Sequence, residues 1–252
     1  RLPPWRTFPA VPHFSHEMPR NPRCILPGIA YHITQRGTNR QRVFFRNADH
    51  TAYLRLLGEN LADAQVRLLA WCQMTNHVHL IAIPAHEDSL AILFRRTHGR
   101  YAQMINAQRN RSGHLWQNRY YGCPLSPTHL QRALAYVELN PVRAGLVRQP
   151  EQYQWSSAQT HLGLAPDRYR LLDLDFWRES GGAPVWQALL ATPEDPAESR
   201  QFRSCTYAGR PYGDEEFLAR FEDHFHRRYR RPKSPPAAAH SHEGARRTLA
   251  IP

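Results

Sequence analysis

Long apolar runs, paired cysteines and lysine are scarce in this sequence. No stretch of about 18 consecutive apolar residues occurs, so we expect no membrane-spanning helix. The N-terminal segment contains arginine and proline but no apolar core, and we therefore expect no secretory signal. The four cysteines, Cys24, Cys72, Cys123 and Cys205, form no Cys-x-x-Cys pair. This spacing argues against a disulfide framework or a zinc knuckle and fits a reducing cytoplasm.

The charge of the chain is strongly positive and is carried almost entirely by arginine. The formal net charge is +12, the pI is about 10.1, and Lys233 is the single lysine. A charge of this size favours a polyanionic partner, and nucleic acid is the usual one. A solvated basic surface is the alternative. Because a GC-rich coding bias also replaces lysine with arginine, only the sign of the charge is informative.

Hydrophobic periodicity indicates an α+β fold with the element order β-α-β-β-α-β-α. The pattern predicts strands at 29–36, 66–73, 77–83 and 114–122, and helices at 47–64, 88–108 and 128–139. Asn47 or Asp49 is available to cap the first helix, and Pro141 should end the third. This order predicts a ferredoxin-like antiparallel sheet with helices on one face, plus one added helix. Beyond residue 150, the sequence favours short helices at 151–190 and an amphipathic helix at 213–229.

Three His-x-His pairs occur, and their predicted settings differ. His77 and His79 lie in a predicted strand, where residues i and i+2 share a face. His224 and His226 lie in a predicted helix, where such residues diverge. The third pair lies in the C-terminal tail and has no fixed partner. Two imidazoles side by side in an apolar strand either bind one metal ion or are hydrogen-bonded histidines of the core or sheet edge.

The last helix of the predicted core places a phenol and an amide one turn apart. Tyr136 and Asn140 are at positions i and i+4 and therefore point the same way, so Asn140 can offer a carbonyl oxygen to a metal near the phenol. Glu138 points elsewhere and becomes a candidate ligand only if the last turn is distorted. Taken alone, Tyr136 is better explained as an aromatic residue packed on the sheet.

Two further segments combine basic, polar and aromatic side chains near these residues. Such surfaces hold phosphates and stack on bases. In the first segment, Gly37 suits close approach to a phosphate backbone. An ordinary edge strand and a solvated turn are the structural alternatives. The DNA-binding candidates are Arg36, Asn39, Arg40 and Arg42 around Gly37, and Trp116, Gln117, Arg119 and Tyr120 in the fourth predicted strand.

Four short pieces of sequence follow one another in an order that is specific to one protein family. They are residues 28–37 (GIAYHITQRG), 74–80 (MTNHVHL), 115–120 (LWQNRY) and 135–146 (AYVELNPVRAGL). Together they resemble the REP-associated tyrosine transposases, within the single-tyrosine HUH transposases of mobile DNA elements. Each piece alone is weak, and the four in order are highly specific.

The resemblance implies an enzyme that cuts and rejoins single-stranded DNA through a 5′-phosphotyrosine intermediate. It implies that Tyr136 is the nucleophile and that His77 and His79 bind a divalent metal, Mg²⁺ or Mn²⁺, with Asn140 as the third ligand. Arg143, in the fourth piece, joins the DNA-binding candidates. The implied partner is a DNA hairpin of the repetitive extragenic palindrome type in the bacterial cytoplasm, and the implied assembly is a monomer or a homodimer.

Composition and the resemblance together divide the chain into four segments. Residues 23–165 correspond to the catalytic domain, and we expect residues 1–22 to form a mobile, basic, proline-rich arm. Residues 233–252 are predicted to be a disordered tail. Residues 166–232 form a C-terminal helical segment, for which a DNA-binding helix, a lid over the site and a small packing appendage are all open alternatives.

Two other functions are compatible with parts of this pattern. A hairpin-binding regulator of the same fold would bind DNA without cutting it, although the intact set of candidate site residues argues against this. A hydrolase would use His77 and His79 to activate water, with Tyr136 structural, and would give no covalent protein–DNA product. The scarcity of carboxylates at ligand spacing near the histidine pair argues against the hydrolase.

Overall fold

The computed structural model describes residues 25–229, so the predicted arm at 1–22 and the predicted tail at 233–252 lie outside the described residues. The first seven elements follow the predicted order: β1 (Tyr31–Arg36), α1 (Asn47–Leu61), β2 (Val66–Met74), β3 (His77–Pro84), α2 (Ser89–Gln108), β4 (Tyr121–Pro124) and α3 (Pro127–Glu138). They are followed by α4 (Asn140–Arg143), α5 (Ala158–His161), α6 (Leu174–Glu179), α7 (Gly182–Ala191), α8 (Pro196–Ala208) and α9 (Glu215–Phe225). Within residues 25–229, no helix is both long and apolar enough to cross a membrane.

The sheet has the strand order β2-β3-β1-β4, and every neighbouring pair is antiparallel. β3 therefore lies between β1 and β2, which is the split βαβ arrangement of the ferredoxin-like fold. The predicted α+β class and ferredoxin-like order are confirmed. A tight turn at Thr75 and Asn76 joins β2 to β3. His77 is therefore the first residue of β3 and lies at the end of the sheet where this turn is.

Helices cover both faces of the sheet, whereas the sequence pattern predicted helices on one face. One core packs α1 and α2 against the face that carries Ile33 and Leu80. A second core packs α3, α7 and α8 against the opposite face, which carries Ala70 and Ile81. Both faces need cover because β2 is buried at nearly every position, instead of alternating between buried and exposed residues.

The fourth strand begins later than predicted. β4 comprises Tyr121–Pro124, and the preceding residues form a loop in which Trp116 makes an isolated bridge to Gly37. The predicted strand at 114–122 is therefore wrong over most of its length. Pro124 is the last residue of β4, and a proline is tolerated there because β4 is an edge strand that pairs only with β1.

The helix ends follow from local capping. The Asp49 carboxylate accepts hydrogen bonds from the backbone N–H groups of Phe45 and Arg46, both at 2.9 Å. Arg46 occupies the cap position, so Asp49 acts from inside the first turn and Asn47 does not cap the helix. α3 ends at Glu138, in agreement with the predicted effect of Pro141.

Buried histidines outside the sheet make the stability of the fold depend on pH. The His98 ring stacks on Trp116 with a centroid separation of 4.5 Å, and its Nε2 lies 3.0 Å from the hydroxyl of Tyr53. Burial lowers the pKa of His98 to about 3 and that of His50 to about 4, from an ordinary value of 6.5. The unfolded chain therefore binds more protons than the folded chain in this window, and the free energy of unfolding falls as the pH drops below 6.5.

We expect His98→Phe to remove part of this pH dependence. Phenylalanine keeps the ring contact with Trp116 but cannot take up a proton. The slope of unfolding free energy against pH should decrease by about 1.4 kcal/mol per pH unit between about pH 4 and 6. Urea titrations at several pH values measure this slope. The substitution also leaves the Tyr53 hydroxyl without its partner, but that lowers the free energy of unfolding equally at every pH and does not change the slope. A slope equal to that of the wild type would contradict the assignment.

Candidate active site

One face of the sheet collects histidines from two adjacent strands. His77 and His79 of β3 lie opposite Arg36 and Thr34 of β1 in the antiparallel register. His32 lies two residues before Thr34, so it shares this face of β1. Residues that lie directly opposite one another in an antiparallel pair point to the same side. The three imidazoles and Arg36 therefore share the face that α3 covers.

The imidazole rings are in direct contact. The centroids of His77 and His79 are 4.8 Å apart, and those of His79 and His32 are 5.2 Å apart with an interplanar angle of 6°. His32 Nε2 lies 2.9 Å from His79 Nδ1. The sequence pattern does not single out His32, because the register that places β1 beside β3 cannot be read from either strand alone.

Burial keeps these imidazoles neutral near pH 7. Desolvation lowers the pKa of His77 to about 3, with further contributions from the positive charges of Arg36 and Arg203. Desolvation likewise lowers the pKa of His32 to about 3 and that of His79 well below its ordinary value. Neutral imidazole is the form that binds a metal ion.

Asn76 fixes the position of the proton on His77. The Asn76 amide nitrogen donates to the carbonyl oxygen of Arg40 at 2.9 Å, which leaves its Oδ1 to face His77 Nδ1 at 2.7 Å. Because Oδ1 can only accept, His77 Nδ1 carries the ring proton. His77 Nε2 therefore keeps a lone pair that is available to a metal.

Tyr136 lies on α3 and packs against two of the histidines. Its ring centroid is 6.1 Å from that of His79 and 5.9 Å from that of His32. The ring of Phe202, on α8, covers it at 4.8 Å, and the Tyr136 side chain is only 5% exposed. Arg203 Nε donates a hydrogen bond to the phenol oxygen at 3.5 Å. The structure thus brings the predicted tyrosine and histidines together and adds two residues of α8.

Asn140 lies at the start of α4, one turn after Tyr136. Its amide nitrogen donates to the carbonyl oxygens of Tyr136 and Val137 at 3.1 and 3.2 Å, which leaves Oδ1 as the atom that can bind a metal. Among residues 25–229, no group of three or more His, Cys, Asp or Glu side chains could hold a metal ion. Within these residues, a third protein ligand beside His77 and His79 would have to be of another residue type, and Asn140 Oδ1 is the candidate from the sequence. Two neutral imidazoles and one amide oxygen are a donor set that Mn²⁺ accepts and that Mg²⁺ accepts less readily.

Glu138 makes its contacts away from the histidine face. Its carboxylate is fully buried, and Oε1 lies 2.5 Å from both Ser157 Oγ and His161 Nδ1. These hydrogen bonds hold the segment around α5 against α3. Glu138 Oε1 is thus engaged with Ser157 and His161, and no contact of Glu138 with His77 or His79 is seen among the described residues.

Most of the predicted DNA-binding side chains are accessible, and one lies within the site. Arg36 is half-buried opposite His77, and its Nε is buried without a hydrogen-bond partner in the described residues. Arg119 lines an open groove of about 780 Å³ between α2 and the loop before β4. The exposed members of the predicted set are Asn39, Arg40, Arg42, Gln117 and Arg119.

Three predicted DNA-binding side chains are engaged in internal contacts. Trp116 and Tyr120 are each 7% exposed, and their rings pack in the core formed by α1 and α2. These two rings are therefore not available to stack on bases in this structure, contrary to the prediction. The reason is that the loop before β4 folds back over α2. Arg143 donates to Glu194 Oε1 at 2.5 Å and to the Tyr136 carbonyl at 2.6 Å, and its guanidinium lies 3.9 Å from the Tyr136 ring centroid. Arg143 therefore contacts Glu194 and the candidate nucleophile, and its guanidinium is not a freely exposed group.

Gly37 is explained by packing of the chain on itself. A Cβ atom at this position would clash with the carbonyl oxygen of Gln41 and lie 2.8 Å from a methyl group of Val43. The turn after β1 therefore requires glycine whether or not a phosphate approaches. The sequence prediction that Gly37 suits close approach to a phosphate backbone has no separate support from the structure.

Helix α8, which supplies Phe202 and Arg203, was not predicted from the sequence. Its apolar residues are too few to give a clear helical period. Its ends carry recognisable signals: Asp195 caps the N-terminus by accepting a hydrogen bond from Ala197 N, Pro196 follows, and Gly209 ends the helix with a positive φ of 61°. An acidic cap, a proline in the first turn and a terminal glycine are sufficient to predict a helix here.

Comparisons with known proteins give one family match and several similar solved structures. The sequence profile of the family described as Transposase IS200 like matches residues 26–140. No curated protein matches the chain. One similar solved structure is a REP-associated tyrosine transposase bound to a REP hairpin, which is 18% identical, with 60% of this chain and 89% of that chain covered and a TM-score of 0.49. A candidate transposase from Deinococcus radiodurans R1 is 21% identical, with 44% of this chain and 88% of that chain covered and a TM-score of 0.34.

Proposed function

We propose that the chain cuts and rejoins single-stranded DNA with Tyr136 as the nucleophile, and the match of residues 26–140 to the family described as Transposase IS200 like supports this proposal. The observation that carries the proposal is the contact of the Tyr136 ring with His79, whose ring in turn contacts that of His77 on the same strand. A phenol beside two neutral imidazoles and an amide oxygen is suited to metal-assisted phosphoryl transfer. Packing of the ring alone would not require these polar neighbours.

His77, His79 and Asn140 are the residues that would hold the divalent metal. The two imidazoles are neutral, and the Asn140 amide nitrogen is already engaged, so its oxygen is left as a ligand. Bound by this set, a divalent metal would supply polarisation of the scissile phosphate and would offset negative charge in the transition state. Either Mn²⁺ or Mg²⁺ is expected to support the reaction.

Positive charge around the site supports an anionic substrate. The charges of Arg36 and Arg203 both act on His77 and contribute to its lowered pKa. Within residues 25–229, Arg36 Nε is buried without a hydrogen-bond partner, which is costly unless a ligand supplies an acceptor. A phosphate oxygen is the acceptor that guanidinium groups bind most effectively.

The proposed reaction conserves the number of phosphodiester bonds. Tyr136 Oη forms a bond to phosphorus as the bond from phosphorus to the 3′ oxygen breaks. The phenol loses its proton, and the departing 3′ oxygen gains one, so the products are a 5′-phosphotyrosine and a free 3′-hydroxyl. Rejoining therefore needs no ATP.

Arg203 has a direct role in this step. A protonated phenol is a weak nucleophile at neutral pH, and its reactivity increases as negative charge develops on oxygen. The hydrogen bond from Arg203 Nε to the phenol oxygen stabilises that charge.

The proposed substrate is a DNA hairpin with a short unpaired flank. The order of the four sequence pieces supports this choice, since it resembles that of REP-associated tyrosine transposases. Exposed Arg40, Arg42 and Arg119 are placed to contact backbone phosphates, which position DNA without reading its sequence. Binding should therefore weaken steeply with increasing salt concentration.

Covalent capture of the DNA tests this proposal. A single-stranded hairpin from the neighbourhood of the gene is labelled at its 3′ end or its 5′ end and incubated with the protein and Mn²⁺. We expect the 3′-labelled fragment to migrate with the protein on a denaturing gel, and the 5′-labelled fragment to be released with an extendable 3′-hydroxyl. A perfect duplex of the same sequence and a sample with chelator serve as controls.

The other outcomes of this experiment identify the alternatives. Cleavage with no protein-bound label would indicate hydrolysis by an activated water molecule. Tight binding of the hairpin without cleavage in either metal would indicate a regulator that retains the fold.

A further inference from the structure

A continuous chain of hydrogen-bonding atoms links α8 to His79. Thr206 Oγ1 lies 3.1 Å from the carbonyl oxygen of Phe202 and 2.8 Å from His32 Nδ1. His32 Nε2 in turn lies 2.9 Å from His79 Nδ1. Thr206, His32 and His79 are all buried, so each of these polar atoms depends on its neighbour in the chain.

The direction of every hydrogen bond in this chain follows from the first acceptor. The carbonyl oxygen of Phe202 can only accept, so the Thr206 hydroxyl donates its single proton there. The Thr206 oxygen then accepts from His32, whose Nδ1 must carry the ring proton. A neutral imidazole has one N–H group, so His32 Nε2 is the acceptor and His79 Nδ1 is the donor.

The chain therefore leaves His79 Nε2 with a free lone pair. Asn76 imposes the same protonation on His77, whose Nδ1 faces an acceptor and whose Nε2 is also free. The two histidines that would bind the metal thus carry their protons on the same nitrogen, although different elements enforce this. One is fixed by the turn before β3, and the other is fixed through β1 by α8.

We propose that Thr206 and His32 are positioning residues that set the tautomer and the ring orientation of His79 for metal binding. Partners that fix the second nitrogen of a metal-binding histidine raise the affinity of the site. This proposal rests on the metal-binding part of the proposed function. It also gives the C-terminal segment at 166–232 a role, because α8 lies beyond residues 26–140.

The contacts of α8 with Tyr136 support the same role. Phe202 packs on the Tyr136 ring and Arg203 donates to its hydroxyl, while Thr206, one turn further on, begins the chain to His79. Consecutive turns of one helix therefore contact both the candidate nucleophile and the candidate metal ligands. A helix that only filled space against the sheet would need no hydroxyl at position 206.

Two substitutions at one position separate positioning from packing. Thr206→Val keeps the shape of the side chain and removes the acceptor for His32, whereas Thr206→Ser keeps the hydroxyl. In the full-length, metal-free protein, two-bond ¹H–¹⁵N spectra of the imidazoles report which nitrogen carries the proton. We expect the proton on Nδ1 of His32, His77 and His79 in the wild type and in Thr206→Ser. In Thr206→Val, the protons of His32 and His79 should redistribute between the two nitrogens, with His77 unchanged.

The spectra alone are sufficient to overturn the proposal. A wild-type His79 with its proton on Nε2 would contradict it, and so would a Thr206→Val spectrum identical to that of the wild type. His77 is the internal control, because Asn76 and not α8 fixes its proton. A matching melting temperature for the three proteins shows that the comparison is made between folded chains.

Calorimetric titration with Mn²⁺ measures the consequence for the metal site. We expect Thr206→Val to weaken Mn²⁺ binding by about 10–100-fold and Thr206→Ser to bind like the wild type. Equal affinity of the wild type and Thr206→Val would overturn the positioning role while leaving the metal site intact. If the wild type binds no Mn²⁺, the metal part of the proposed function and the positioning role built on it both fail, whatever tautomers the spectra show.

Discussion

Replacing Tyr136 with phenylalanine is expected to abolish the covalent protein–DNA product. Enzymes that lose their nucleophile lose activity by factors on the order of 10⁴–10⁶, and phenylalanine has no oxygen with which to attack phosphorus. The substitution keeps the ring contacts with His79 and Phe202 and removes only the 3.5 Å hydrogen bond from Arg203. Folding and hairpin binding should therefore remain near those of the wild type, as measured by melting temperature and by fluorescence anisotropy.

A matched tyrosine controls for this substitution. Tyr212 packs on the same Phe202 ring at a centroid distance of 5.0 Å and lines the same pocket as Tyr136. Its contacts do not include the histidines of β3. We expect Tyr212→Phe to retain adduct formation. Adduct formation that survives in Tyr136→Phe would remove this tyrosine from the chemistry, whatever the control shows.

Removal of a histidine from the pair is expected to abolish both metal binding and cleavage. His77→Ala is the preferred variant, because His77 is less buried than His79 and its loss leaves His32 with its partner. Loss of a direct ligand should cost more than the roughly 10–100-fold in metal affinity that follows from loss of an outer hydrogen-bond partner. Calorimetry with Mn²⁺ and the covalent-capture gel measure the two effects on the same protein.

Hairpin binding separates this result from a general loss of structure. The phosphate-binding candidates around Arg40 and Arg119 are exposed and do not depend on the His77 ring. His77→Ala should therefore still bind the hairpin in the absence of metal. His98→Phe is the matched control, since it removes a buried histidine far from the site and should leave Mn²⁺ affinity unchanged. Metal-dependent adduct formation by His77→Ala with the wild-type dependence on Mn²⁺ would contradict the assignment of this residue as a ligand.

The order of elements and the central residues of the site were predictable because each is encoded locally. Runs of β-prone residues mark β1, β2 and β3, helical spacing of apolar residues marks α1, α2 and α3, and Pro141 sets the end of α3. His77 and His79 are two residues apart in a strand, so their adjacency follows from strand geometry alone. Tyr136 and Asn140 are likewise one helical turn apart, so their proximity needs no knowledge of the rest of the chain.

The features that the sequence left out depend on contacts between distant segments. His32 joins the site only through the register of β1 against β3, and its partner Thr206 is 174 residues away along the chain. Helices also cover the second face of the sheet, and β2 is buried on both sides. The apolar run of β2 did not predict this, because the same run is compatible with a sheet covered on one face. The sequence predicted Trp116 as a surface aromatic residue, whereas the loop that carries it folds over α2 and buries its ring.

Identification of the residue that carries the DNA tests the central claim most directly. The adduct formed with the hairpin and Mn²⁺ is digested with a nuclease and a protease, and the remaining nucleotide is located by tandem mass spectrometry. We predict a nucleotide linked through its 5′ phosphate to Tyr136, in a peptide that also contains Asn140. A nucleotide on any other residue, or complete cleavage of the hairpin with no modified peptide, would contradict the assignment of Tyr136 as the nucleophile.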